Sequence, residues 1–183
     1  VMPTTGANNG IKLQDLVAVD FDDNLWESYM DQFTVDQLRD LAMKGGYGSG
    51  QNYSDLGVTR VPNADGPAGW LYGAPSGTYS TWCGETVLAS TWNKDLARAK
   101  GVGMGNEALW GNGSSGSKIP FWYAPAVNIH RSPFSGRNFE YYSEDGLFTG
   151  IMSAAMIDGA QSKGLICYVK HFGVNDQEAN RCG

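Results

Sequence analysis

The chain has 183 residues, of which 42% are apolar and 17% charged, a composition typical of a globular protein and unlike that of a disordered one. Its formal net charge is −6, and its 13 lysines and arginines form no cluster, which argues against nucleic acid as a ligand. No stretch approaches the roughly 20 consecutive apolar residues of a membrane span, so no membrane partner is expected. The N-terminal residues lack the basic and apolar regions of a signal peptide, which leaves the compartment open.

The first predicted element is a helix that follows an extended segment. We interpret residues 1–25 as an extended lead-in and residues 26–183 as one folded body. Thr34 and Gln37 form a capping-box pattern, in which each side chain satisfies a backbone donor at the start of a helix. A loop rich in Gly, Ser, Asn and Tyr is predicted at residues 45–57.

Strands and helices alternate after this loop. The predicted strands lie at residues 58–64, 119–128 and 165–172, and the predicted helices lie at about 93–110 and directly after Asp145. This alternation favours an α/β fold with parallel strands. Only about three or four strand–helix units fit here, whereas a closed (β/α)8 barrel needs about 250 residues. The sequence therefore predicts a partial (β/α)8 TIM-type barrel that is truncated at the C-terminus.

Two features that can mark cofactor sites are interpreted as structural. The segment Gly101-Val102-Gly103-Met104-Gly105 resembles a dinucleotide-binding loop, but it lies inside a predicted helix and follows no strand, which favours close helix packing. The three cysteines, Cys83, Cys167 and Cys182, are widely spaced, and the chain has only two histidines. This pattern favours free thiols over a disulfide framework or a zinc site. We expect neither a metal nor any other cofactor.

Polar residues follow each predicted strand, which is where the active sites of β/α barrels lie. Asp65 either accepts hydrogen bonds from adjacent sugar hydroxyls or simply forms a turn with its Gly-Pro neighbours. Glu140 either holds the planar fork of Arg137 toward a ligand or forms a surface salt bridge of little energetic value. Lys170 and His171 share a pocket only if the backbone turns between them, and a buried core histidine is the alternative. The residues taken singly leave these alternatives open.

Several longer motifs follow one another along the chain. They are Asp-Gly-Pro-Ala-Gly, Thr-Trp-Asn, Asn-Ile-x-Arg-x-Pro-x-x-Gly-Arg-Asn-Phe-Glu-Tyr-x-Ser-Glu-Asp, Gln-Ser-x-Gly and Lys-His-Phe-x-x-Asn-x-Gln-Glu-x-x-Arg. In order and spacing, these motifs resemble glycoside hydrolase family 3. The resemblance runs from about residue 30 to the end of the chain, and its strongest part is the block at residues 128–145.

The resemblance implies that residues 26–183 are the N-terminal portion of the family's barrel, whose rim binds the non-reducing terminal sugar of a substrate. The residues that it assigns to substrate binding are Asp65, Arg137, Lys170, His171 and Arg181, with Trp70 and Glu140 as further candidates. It also implies a non-proline cis peptide at or next to Lys170 and His171, which would turn both side chains toward one pocket. The family often has an arginine shortly after Asp-Gly-Pro where this chain has Leu71, so one hydroxyl contact is lost or is supplied elsewhere.

The implied activity is that of a retaining glycoside hydrolase, in which one carboxylate forms a glycosyl-enzyme intermediate and a second carboxylic acid protonates the leaving group. The nucleophile is expected after Gly183 and the acid/base residue in another domain, so the chain alone is expected to be inactive. The favoured activity is an exo-acting β-glucosidase that removes terminal non-reducing β-D-glucosyl residues. Its partners would be a β-glucoside or oligosaccharide and the rest of the same enzyme. The alternatives are a non-catalytic sugar-binding fragment or degenerate homologue, and a β-xylosidase or exo-glucanase of the same family.

Overall fold

A computed structural model of the chain describes residues 2–44, 50–71, 74, 79–111, 118–171 and 175–181. The chain divides into two compact units, Val1–Val61 and Pro62–Gly183. The α-helices of the described ranges are α1 (Asn24–Met30), α2 (Val35–Lys44), α3 (Glu85–Ala89), α4 (Lys94–Trp110) and α5 (Gly146–Gln161). The strands are β1 (Asn63–Asp65), β2 (Phe121–Tyr123) and β3 (Ile166–Cys167), and 3-10 turns occur at Leu13–Leu16, Ser54–Leu56 and Asn138–Glu140. None of these helices combines the length and the apolarity needed to cross a membrane.

In the first unit, helix α2 begins as the capping-box pattern predicts. The backbone N–H of Gln37 donates to Oγ1 of Thr34 at 3.2 Å, and the N–H of Thr34 donates to Oε1 of Gln37 at 2.8 Å. The predicted loop at residues 45–57 lies partly outside the described residues, which resume at Gly50.

A small apolar core stabilises this unit. Its buried members are Leu16, Tyr29, Phe33 and Leu56. Leu16 belongs to a 3-10 turn inside the segment interpreted as the lead-in. The domain boundary at residue 25 stays a prediction.

The second unit contains a three-stranded sheet in the order β1-β2-β3, in which both pairs of strands are parallel. Ala64 pairs with Trp122, and Trp122 in turn pairs with Cys167. The prediction of three parallel, neighbouring strands is therefore confirmed. Parallel strands joined through helices are the architecture of part of an α/β barrel, as the sequence predicts.

The observed strands are shorter than the predicted ones. Pro62 and Pro125 have no backbone N–H to donate to a strand ladder. Strand β1 begins directly after Pro62, and β2 ends two residues before Pro125. A single bridge between Ala126 and Lys170 continues the parallel pairing beyond β2 and β3. Phe172, the predicted end of the third strand, lies outside the described residues.

Helices α4 and α5 pack closely through glycine. A Cβ built on Gly101 would overlap the backbone oxygen of Met156, and a Cβ built on Gly159 would overlap that of Arg98. The two helices thus meet backbone to backbone, which confirms the interpretation of the glycines at 101–105 as packing positions. The helix predicted at 93–110 is observed as α4, whereas α3 was not predicted as a separate helix.

The sheet and these helices enclose one apolar core, with fully buried Trp122 and Met156 among its large side chains. Cys167 packs against this core and Cys83 is exposed. In the described part of the chain both cysteines carry free thiols, as expected, while Cys182 lies outside it.

Candidate functional site

Polar side chains from three strand ends meet at the carboxyl edge of the sheet. Asp65 is the last residue of β1, and its Oδ1 lies 2.7 Å from Nζ of Lys170, which follows β3. The same Nζ lies 3.6 Å from Oε2 of Glu140, which belongs to the segment after β2. Because the strands are parallel, their carboxyl ends share one edge, and the predicted meeting of these segments is confirmed. We call Asp65, Arg137, Glu140 and Lys170 the rim cluster.

Within the rim cluster, Arg137 and Glu140 form a two-pronged pair. Nε of Arg137 donates to Oε1 of Glu140 and Nη2 donates to Oε2, both at 2.6 Å. The 3-10 turn at Asn138–Glu140 brings the two side chains together, and only 17% and 13% of them are exposed. This is a mostly buried bidentate pair and not the surface salt bridge that was the alternative.

The electrostatics of the pair keep both groups charged. Burial raises the pKa of the Glu140 carboxyl, but the hydrogen bonds from Arg137 and the positive charge of Lys170 outweigh it and bring the pKa below its ordinary value. The hydrogen bond to Glu140 in turn raises the pKa of the Arg137 guanidinium. Glu140 is thus an ionised acceptor whose two oxygens are both occupied by one guanidinium.

Lys170 and His171 are joined by a non-proline cis peptide bond, as the family resemblance implies. The backbone N–H of His171 donates to Oδ1 of Asn128 at 2.9 Å, and the same oxygen lies 3.2 Å from Nδ1 of the ring. The hydroxyl of Tyr141 lies 3.3 Å from that Nδ1. The contacts to Asn128 and Tyr141 therefore orient the imidazole without using its Nε2.

Burial and positive neighbours keep the His171 ring neutral. Burial lowers its pKa most, and the charges of Arg137 and Lys170 lower it further, to about 4. At neutral pH the ring therefore has one donor and one acceptor nitrogen.

Arg181 lies at the margin of the cluster, with 53% of its side chain exposed. Its Nη1 donates to both oxygens of Glu178, at 3.2 and 3.0 Å. Oε1 of Glu178 lies 3.6 Å from Nη1 of Arg137. Arg181 is therefore connected to the rim cluster through a shared carboxylate.

The structure places Trp70 in the core. Only 5% of the residue is exposed, and its ring lies 5.8 Å from that of Trp122, centroid to centroid. This position does not offer a free ring face for stacking on a sugar. Leu71, which replaces the arginine frequent in the family, is exposed.

Sequence reasoning missed several residues that support the site. Asn128 and Tyr141 hold His171, and both stand inside the matching block at residues 128–145, which was the signal that could have identified them. Glu85 is fully buried and its Oε1 lies 3.4 Å from the backbone nitrogen of Ala126. Its signal in the sequence is weak, a single glutamate at the start of an apolar stretch.

Comparison with known proteins agrees with this geometry. The family model described as "Glycosyl hydrolase family 3 N terminal domain" matches residues 76–180. The chain belongs to glycoside hydrolase family 3. The matched segment contains most of the rim cluster, and Asp65 precedes it.

Several relatives in the family are β-glucosidases. β-Glucosidase A of Butyrivibrio fibrisolvens is 41% identical over 165 residues, which cover 86% of this chain and 19% of that protein. The structure of a β-glucosidase from Paenibacillus barengoltzii superposes with a TM-score of 0.77 at 32% identity, covering 97% of this chain and 20% of that one. β-Glucosidase 3B of Thermotoga neapolitana, solved in complex with glucose, superposes with a TM-score of 0.61 at 36% identity, covering 70% of this chain and 18% of that one. The chain thus spans about a fifth of the length of these relatives.

Proposed function

We propose that this chain is the sugar-binding part of a retaining, exo-acting β-glycosidase and that the favoured activity is that of a β-glucosidase. The observation that carries the proposal is the rim cluster, in which Asp65, Lys170, Glu140 and Arg137 lie together at the carboxyl edge of the sheet. The β-glucosidase relatives and the glucose complex of the Thermotoga neapolitana enzyme support glucose as the sugar.

The chemistry of the cluster suits a pyranose. Adjacent hydroxyls of a sugar ring each donate one hydrogen bond and accept others, and they are well matched by an ionised acceptor beside cationic donors. Asp65 would accept from two such hydroxyls, while Lys170 and Arg137 would donate. Neutral His171 would donate or accept through its ring, and Arg181 would act at the margin.

The reaction itself would be carried out by groups outside this chain. A retaining glycosidase needs a carboxylate nucleophile and a carboxylic acid that can release its proton. Glu140 suits neither role. Its lowered pKa disfavours the acid, which must hold a proton, and both of its oxygens accept from Arg137, which disfavours the nucleophile. Oδ1 of Asp65 accepts from Lys170 and from the N–H of Gly66, which suits a binding role. We therefore place the nucleophile and the acid/base residue in the remainder of the enzyme.

The test uses the full-length protein, which contains this chain and has the length of its β-glucosidase relatives. We expect it to hydrolyse an aryl β-D-glucoside faster than the matching xyloside, with β-glucose as the first product by NMR. The purified 183-residue chain should show no turnover. Binding of glucose without hydrolysis by the full-length protein would favour the non-catalytic alternative. Faster hydrolysis of the xyloside would favour a β-xylosidase.

A further inference from the structure

Glu85 is a buried carboxyl group that the proposed sugar contacts do not use. It begins helix α3, and none of its surface is exposed. Oε1 accepts from the backbone N–H of Ala126 at 3.4 Å.

The partner of Glu85 lies in the segment that holds Lys170 and His171. On either side of Ala126, the carbonyl of Pro125 accepts from the N–H of Lys170 at 3.1 Å, and the N–H of Val127 donates to the carbonyl of Lys170 at 2.7 Å. Two residues further along, Asn128 accepts from the N–H of His171. These contacts hold the backbone of Lys170 and His171, so the position of the pair depends on the position of residues 125–128.

Helix α3 is itself anchored on two sides. Nζ of Lys100, which is buried in α4, donates to the carbonyl of Cys83 at 2.7 Å and so holds the residues that lead into α3. Oγ1 of Thr86 donates to the carbonyl of Tyr141 at 2.8 Å. Neighbouring residues of one short helix thus contact the segment after β2 in two places, Glu85 at residue 126 and Thr86 at residue 141.

The burial of Glu85 favours its protonated form. Burial raises the pKa of its carboxyl to about 8, although the charge of Lys100, the hydrogen bond from Ala126 and the charge of Lys170 each act to lower it. The negative charge of Glu140 acts in the same direction as burial. A neutral carboxylic acid at this position can be replaced by the amide of glutamine with almost no change in shape.

We propose that Glu85 is a positioning residue that holds residues 125–128 in place and thereby sets Lys170 and His171 for sugar binding. The proposal rests on the proposed function. Its physical basis is that Ala126 is fully buried, so without the oxygen of Glu85 its N–H would lose its partner. The segment would then shift to find another acceptor, and the two side chains that it holds would shift with it.

The test compares variants of Glu85 in the full-length protein, with hydrolysis of an aryl β-D-glucoside and direct binding of glucose by titration calorimetry as the readouts. Glu85→Gln keeps an oxygen for Ala126 and should stay within about threefold of wild type in kcat/KM. Glu85→Leu removes it and should lower kcat/KM and glucose affinity by about tenfold or more. Glu85→Asp, which draws the carboxyl away from Ala126, should lie between the two and serves if the leucine variant does not fold.

The matched control is Leu88→Ala, because Leu88 is a buried residue of the same helix that packs in the core. It should lower the unfolding temperature while kcat/KM, measured well below that temperature, stays within about twofold of wild type. Two results would overturn the proposal. One is activity of Glu85→Leu or Glu85→Asp like that of wild type, and the other is a loss in Leu88→Ala as large as in Glu85→Leu. If the wild type binds glucose but does not hydrolyse the glucoside, the proposed function fails while glucose affinity still tests Glu85. A wild type that neither binds glucose nor hydrolyses the glucoside would overturn both the proposed function and the role of Glu85.

Discussion

Nζ of Lys170 lies 2.7 Å from Oδ1 of Asp65, although the two residues are 105 positions apart in the chain. They follow β3 and end β1, the two outer strands of the sheet, and so the pair reaches across the end of β2. Only 12% and 24% of the two side chains are exposed. A cation shared between Asp65 and Glu140 keeps the two carboxylates close together, so contacts within the protein itself hold the cluster in one arrangement.

Replacing Asp65 should reduce catalysis steeply in the full-length protein. Asp65→Ala removes the proposed acceptor for sugar hydroxyls and leaves Lys170 without its shortest ion pair. The expected loss of transition-state stabilisation is on the order of 2–4 kcal/mol, or about 30- to 900-fold in kcat/KM. Steady-state kinetics on an aryl β-D-glucoside measure it.

The control for Asp65 is Asp158→Ala, since Asp158 pairs with Arg98 on the exposed surface. That pair should contribute little, and the kinetics should stay close to those of wild type. If kcat/KM of Asp65→Ala also remained within about threefold of wild type, that result would contradict a sugar-binding role for Asp65.

Breaking the bidentate pair between Arg137 and Glu140 should leave the arginine side chain without a fixed orientation. Glu140→Gln leaves one acceptor oxygen where two are used, and we expect kcat/KM to fall by about tenfold or more. Arg137→Lys should lose a similar amount despite keeping the charge, because an ammonium group cannot make the paired contact. Arg98→Lys at the exposed pair with Asp158 is the control and should leave the rate unchanged. Full activity of Arg137→Lys would show that only the charge is needed.

His171 should titrate far below an ordinary histidine. Its pKa is lowered to about 4 in the folded protein, against an ordinary value of 6.5. Between these values the unfolded chain binds a proton that the folded chain does not. Protonation of His171 in the unfolded chain therefore lowers the free energy of unfolding as the pH falls from about 6.5 toward 4. Above about pH 6.5 this loss is absent.

NMR titration of the 183-residue chain is the direct measurement, because it contains only two histidines. His130→Gln assigns the ring signals, and the signal of His171 should move only near pH 4. His171→Gln should remove the corresponding acid-side loss of stability. Titration of His171 near 6.5 would contradict the burial and charge that the structure gives it.

The contact between α4 and α5 should tolerate no side chain at its glycines. Gly101→Ala would overlap the backbone oxygen of Met156, and we expect a destabilisation of about 1–3 kcal/mol or more. Gly150→Ala in α5 is the matched control, because its Cβ would meet nothing within 4 Å. It should stabilise the helix by roughly 0.5–1 kcal/mol. Thermal unfolding of the full-length protein compares the two, and equal shifts would contradict the packing.

Local signals in the sequence were enough for helices α2, α4 and α5 and for the order of the strands. The cap at Thr34 and the alternation of strands with helices depend on residues only a few positions apart, and both are observed. Strand lengths were overestimated, because the apolar patterns continue across Pro62 and Pro125, which have no N–H to donate to a regular ladder. Helix α3 has only five residues, too few for a periodic pattern to show.

The sequence by itself determined the family, the parallel α/β arrangement and the edge of the sheet where the polar residues gather. Motifs and periodicity depend on residues that are close together in the chain. Only the tertiary structure decided which of those residues touch. It placed Trp70 in the core, paired Lys170 with Asp65 and brought buried Glu85 to Ala126. Burial and contact depend on how distant segments pack, and a side chain such as Glu85 acquires its partner only when the segment after β2 folds against helix α3.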